Sequence, residues 1–98
     1  MSEEQIFDAL SSTKNALGIT GDFHDSTLKE YIDEVREYLI DGGVPETVAN
    51  SVKCKGVIMR GVADLWNYGA GGATLSPYFR ERAAQLALKY GVKSNATT

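Results

Sequence analysis

The amino-acid sequence predicts an all-α protein, a small four-helix bundle with a long central third helix. Apolar residues recur at helical spacing in four stretches. No stretch shows the sustained apolar/polar alternation, rich in β-branched residues, that marks a half-buried strand. Glycine and proline fall between the stretches, where helices start and stop.

The first helix is predicted from Ser2 to Leu17, with Ile6, Leu10, Thr13 and Leu17 on one face and Phe7 beside them. Glu3 and Glu4 stand in its first turn, where the helix dipole favours acids. Gly18 ends it and Thr20-Gly21-Asp22 forms a turn. The second helix is the clearest, from Ser26 to Ile40. Leu28, Tyr31, Ile32, Val35, Tyr38 and Leu39 make one continuous apolar stripe. Asp25 is its expected N-cap, with a Thr27/Glu30 capping box as the other possible start. Gly42-Gly43 closes it.

The third helix opens at Pro45, whose missing N–H costs nothing in a first turn. It is predicted to run unbroken to Asn67 or Tyr68, ~35 Å at 1.5 Å per residue. Its apolar residues (Val48, Val52, Ile58, Met59, Val62, Leu65 and Trp66) cover a wide arc, so it is either central to the bundle or shared between subunits. Gly56 and Gly61 each cost it ~1 kcal/mol relative to Ala. Close approach of another helix is the expected compensation, with a kink or fraying as the alternative. Gly69 to Leu75 reads as a connector, and Ser76-Pro77 restarts a helix as N-cap and first helical residue. That fourth helix runs to Tyr90 with Phe79, Ala83, Leu86 and Tyr90 on one face, and Gly91 caps it. Residues 1–91 thus form a single helical domain and residues 92–98 a polar, flexible tail.

At 98 residues the chain fits one domain. A chain of that length buries only about 60–65% of its unfolded surface, so association would add to its stability. Apolar residues are 43% and charged residues 23%, which places the chain among ordinary globular proteins rather than disordered ones. No apolar run exceeds three residues, so no membrane segment is expected. The N-terminus, Met-Ser-Glu-Glu-Gln, lacks the basic start and apolar stretch of a secretory signal. One cysteine, Cys54, forms no internal disulfide, and the cytosol is the natural compartment.

The net charge of −3 hides a segregation. From Asp22 to Glu46, eight acids face only Lys29 and Arg36; from Lys53 to Lys93, seven bases face only Asp64 and Glu81. A bipolar chain suits a head-to-tail contact in which one copy's acidic face meets the next copy's basic face. Two helix faces that neutralise each other within one subunit would account for it equally.

No catalytic constellation can be assembled. Cys54 lies between Lys53 and Lys55, which would lower its pKa, but the single histidine, His24, is thirty residues upstream on a loop. A small, partly buried helical residue is the better reading of Cys54. His24 has no second imidazole or thiol to complete a metal site; it assists capping or is exposed. Gly69-Ala-Gly-Gly72 lacks the G-x-x-x-x-G-K-[ST] spacing of a phosphate loop and the preceding strand. The carboxylates of Glu30, Asp33, Glu34 and Glu37 lack a calcium-loop frame and read as a solvated face. No enzyme, metal or cofactor is therefore expected.

Around Trp66 the sequence is more telling. Trp66, Tyr68, Tyr78 and Phe79 flank the connector holding Gly69, Gly71 and Gly72, and aromatics concentrate at contact cores. Arg80 and Arg82 follow and are placed to pair with Glu30, Glu34 and Glu37 on a neighbour's second helix. Core packing explains Trp66 and Phe79 as well, but Tyr68 and Tyr78 less well.

These stretches carry a resemblance. Asp-Ser-Thr-Leu-Lys-Glu-Tyr-Ile-Asp-Glu-Val-Arg-Glu-Tyr-Leu-Ile-Asp (25–41) resembles a helix of tailed-phage head–tail connector proteins. So does Gly61-Val-Ala-Asp-Leu-Trp-Asn-Tyr-Gly69 followed by Leu75-Ser-Pro-Tyr-Phe-Arg-Glu-Arg82. The family is labelled phage gp6-like connector, or possible DNA-packaging protein, and the likeness spans about Ile6 to Tyr90. It implies a helical adaptor without catalytic residues. Its copies would form a ring of about twelve beneath the portal, matching the portal's symmetry. The partners implied are other copies of the chain, the portal protein and a downstream head-completion or tail protein. DNA would pass through the channel without sequence-specific binding. The location implied is the virion's head–tail junction, and the bacterial host cytoplasm during assembly. The other reading is a helix-turn-helix nucleic-acid-binding module, turning at Asp41-Gly42-Gly43 with the basic second half toward DNA. Its recognition helix should be polar and exposed, and the third helix is mostly apolar.

Overall fold

The computed structural model describes residues 8–69 and 75–91. Among these the chain is all helical: α1 (Ala9–Leu17), α2 (Asp25–Asp41), α3 (Glu46–Ala49), a 3-10 turn (Val52–Cys54), α4 (Lys55–Tyr68) and α5 (Pro77–Tyr90). The predicted first two turns of α1, with Glu3, Glu4, Ile6 and Phe7, lie outside the described residues. So do Gly71, Gly72 and the predicted tail 92–98.

Helix α1 starts where Asp8 caps it, the Ser11 N–H donating to Asp8 Oδ1 at 3.1 Å. Gly18 (φ 72°) ends it, because the closing turn needs a left-handed residue. Ile19 N–H then reaches back to the Lys14 carbonyl at 2.9 Å. Helix α2 ends in the same way one residue later than expected. Val44 N–H donates to Leu39 O (2.9 Å) and Gly43 N–H to Ile40 O (3.0 Å), with Gly43 at φ 113°. Val44 and Leu39 are both buried, which seals that turn with an apolar contact.

The start of α2 departs from expectation. Asp25 is not the N-cap but the first helical residue. His24 occupies the cap position and makes no side-chain capping bond. The Asp25 carboxylate is held instead by Lys14 of α1 at 2.7 Å. That pair closes the α1–α2 corner; partly exposed, it contributes about 1 kcal/mol or less.

The long third helix is the main correction. The chain breaks after Ala49: Asn50 ends α3, and Ser51 is extended (φ −102°, ψ 171°). The cause is local. Ser51 Oγ donates to Val48 O (2.8 Å) and accepts from Lys53 N–H (3.2 Å), so the hydroxyl replaces helical backbone bonds. Serine favours caps and turns over helix interiors for this reason. Pro45 is also shifted, to the N-cap in extended conformation. Among the described residues there are therefore five α-helices, and α4 alone is the centre of the bundle.

Helix α4 packs against α1, α2 and α5. Val57, Ile58, Val62 and Leu65 are buried at 0–4% exposure, with Leu28, Val35 and Leu39 of α2 and Phe79 and Leu86 of α5 in the same core. Its wide apolar arc is thus satisfied within one subunit, and the alternative that this helix is shared between subunits fails for these residues. Gly61 is the point of closest approach. A Cβ there would lie 2.8 Å from Phe79 Cε1 and 2.9 Å from both Val35 methyls. Gly56 is different: it is exposed, and a Cβ would meet nothing within 4 Å. Close approach explains Gly61 only.

Helix α5 matches its predicted bounds. Ser76 Oγ accepts from Phe79 N–H at 3.1 Å, Pro77 opens the first turn, and Phe79, Ala83 and Leu86 are buried.

Candidate functional site

The aromatic group around the α4–α5 connection is divided by helical geometry. Trp66 and Tyr68 are two residues apart, about 200° around α4. Trp66 points to the α1–α2 loop and is half-buried, its ring edge-on to His24 at 5.0 Å. Phe23 in turn packs edge-on to His24 at 4.9 Å and is 88% exposed. His24 is thus an aromatic spacer rather than a cap. Phe79 belongs wholly to the core, where Tyr38 meets it edge-on at 5.3 Å. Only Tyr68 (73% exposed) and Tyr78 (57%) remain as an outward aromatic pair on either side of the connection, with exposed Gly69 beside Tyr68.

Beneath that pair lies an interaction the sequence reading missed. Asp64 is buried, and its Oδ2 accepts from the Ser76 N–H at 3.0 Å. Its Oδ1 faces the Arg60 guanidinium at 3.5 Å. Arg60 also lies over the Tyr78 ring, 5.3 Å from its centroid. Arg60, Asp64 and Tyr68 recur every four residues, so one face of α4 carries a cation, a buried anchor and an exposed aromatic. The available signal was an acid inside an apolar helix, one turn after an arginine. Asp64→Ala leaves the Ser76 N–H without its partner and should cost about 1–3 kcal/mol. Chemical denaturation checks it: the midpoint should fall with an unchanged slope.

The charged candidates separate as well. Glu30 and Glu37 are exposed and Glu34 half-buried. The ion pairs between described residues, Lys14–Asp25 and Arg60–Asp64, take none of the three. With Asp33 and Asp41 they make the outer face of α2 acidic. Arg82 is half-buried, donates to Gln85 Oε1 at 2.7 Å and, with Arg36 of α2, acts electrostatically on Cys54. Arg80 is exposed and lines a groove with Tyr38, Leu39, Gly42, Ala83 and Ala84, about 160 Å³ in volume.

The chemistry of the remaining groups is plain. Cys54 is buried in the 3-10 turn rather than mid-helix, and burial pushes its thiol above its ordinary pKa; the charges of Arg82 and Arg36 pull the other way. Arginines, not the flanking lysines, are the bases that act on it. Among the described residues no His, Cys, Asp or Glu group is placed to hold a metal ion. None of their helices is long and apolar enough to cross a membrane. The turn at Gly42-Gly43 leads into α3, four residues long, too short for a recognition helix. Helix α4 spends its length on the core.

What the surface offers is contact: an acidic helix face, an aromatic shoulder, a projecting phenylalanine and a groove. No curated protein and no solved structure matches the chain. Residues 7–95 match the family model described as phage gp6-like head-tail connector protein. That match covers nearly the whole chain, and the protein accordingly belongs to the phage gp6-like head–tail connector family, whose role is structural.

Proposed function

We propose that the protein forms a ring of copies, about twelve by analogy with portal symmetry, seated under the portal, joining the DNA-filled head to the tail. The unit that assembles is the helical domain of residues 1–91, with 92–98 as a tail. The observation that carries this reading is the acidic outer face of α2, whose Glu30, Glu34 and Glu37 enter no ion pair with another described residue. Such a face, left unneutralised, favours a basic surface on a neighbour. The shoulder of Tyr68 and Tyr78, with the Arg60 guanidinium over the Tyr78 ring, offers such a surface, and exposed aromatics of this kind dominate contact energetics. Net-acidic walls suit a channel through which DNA passes, since strong phosphate binding would oppose movement.

Size-exclusion chromatography with light scattering tests the reading, with and without the portal protein. The expected result is co-elution with the portal at a fixed stoichiometry, weakened as salt is raised because exposed charges are screened. A chain that never co-elutes with portal, at any salt or concentration, would sink it.

A further inference from the structure

We propose that Phe23 is a knob that inserts into the α2–α5 groove of a second copy of this chain, an inference that rests on the ring reading and names its contact. Phe23 is the most exposed large apolar residue described, at 88%. It stands on the turn before α2, outside every apolar stripe, yet its ring is held: it packs against His24, which packs against Trp66. A braced, exposed aromatic loses little freedom when it docks.

The groove lies at the other end of the same helix. Tyr38, Leu39 and Gly42 line one side and Arg80, Ala83 and Ala84 the other. Its volume, about 160 Å³, is close to that of cavities, roughly 150 Å³, that accept a benzene ring. Phe23 cannot reach the groove of its own chain, because the 17 residues of α2 separate them by about 25 Å. A second copy can reach it. Because knob and socket are different patches, the contact is head-to-tail, the type that closes rings or extends filaments.

Charge agrees with this occupant. The last turn of α2 has no base and carries exposed Glu37 and Asp41 beside the groove. The knob arrives with exposed Lys29 and the positive end of its own α2 dipole.

The test uses the full chain. Disulfide trapping of Asp22→Cys/Ala84→Cys, which keeps the Phe23 ring, should give at high concentration a ladder extending beyond dimers, while Asp22→Cys/Thr47→Cys stops at dimers. Cys54 is buried and stays out of the reaction. In sedimentation velocity, Phe23→Ser and Ala84→Glu should each weaken self-association about tenfold or more, with unchanged melting temperatures because both positions are exposed. If no ladder forms, or if Phe23→Ser associates like the parent chain, the knob is wrong. Portal co-elution that survives Phe23→Ser at parental affinity would then leave the ring reading standing on another surface; its loss in the parent chain itself would remove both.

Discussion

Gly61→Val is expected to be among the most damaging single changes in this protein, while Gly56→Ala, five residues earlier in the same helix, stabilises it. Both exchanges improve helix propensity, Gly56→Ala by up to ~1 kcal/mol. The sign is decided by what stands opposite. At Gly61 even one added carbon would lie under 3 Å from Phe79 and Val35, both fully buried. Val35 is stiff about χ1 and Phe79 has no open space to swing into, so the helices must separate. Overpacking of this kind costs typically 1–3 kcal/mol and occasionally more, and the two further methyls of valine put this case at the upper end. For a domain this small each kcal/mol lowers the melting temperature by about 4–8 °C. Calorimetry should therefore show a fall of about 10–20 °C for Gly61→Val. Gly56→Ala should show a small rise. Equal responses would mean that the helix spacing at Gly61 is not as described.

Phe79→Ala has the second large effect, about 3–5 kcal/mol. The ring is buried, touches the Gly61 position and meets Tyr38 edge-on, so its loss opens a cavity where α2, α4 and α5 converge. Phe79→Leu should recover much of that. Gly61→Ala combined with Phe79→Leu should cost less than the sum of the two single changes, since the smaller side chain makes room for the new methyl; a double-mutant cycle reads that coupling. Strict additivity would show that the two positions do not touch.

The contrast between the two glycines also marks how far the sequence could be read. The apolar stripes of α2 and α5, the Gly18 and Gly43 stops and the Ser76-Pro77 start were legible because each is a local rule acting on neighbouring residues. The break at Ser51 is local too, but its signal is a hydroxyl competing with backbone bonds inside an otherwise helical pattern, and periodicity does not register it. Asp64, His24 and Phe23 are of another kind. Asp64 is defined by a residue twelve positions away, and His24 by Trp66 on a different helix. Only tertiary packing pairs them. The same limit separated Trp66 and Phe79 from Tyr68 and Tyr78: adjacency in sequence placed them in one cluster, and a 100° turn per residue distributed them over different faces.

The bond from Ser76 to Asp64 also bears on how this chain tolerates a change in length between α4 and α5. Because a buried carboxylate on α4 receives the N-cap residue of α5, the core fixes the point at which the chain re-enters the bundle after the 69–75 connection. Lengthening that span costs only the slow, logarithmic penalty of closing a larger loop, about 0.6 kcal/mol for each doubling. Insertions there should leave the register of the bundle unchanged.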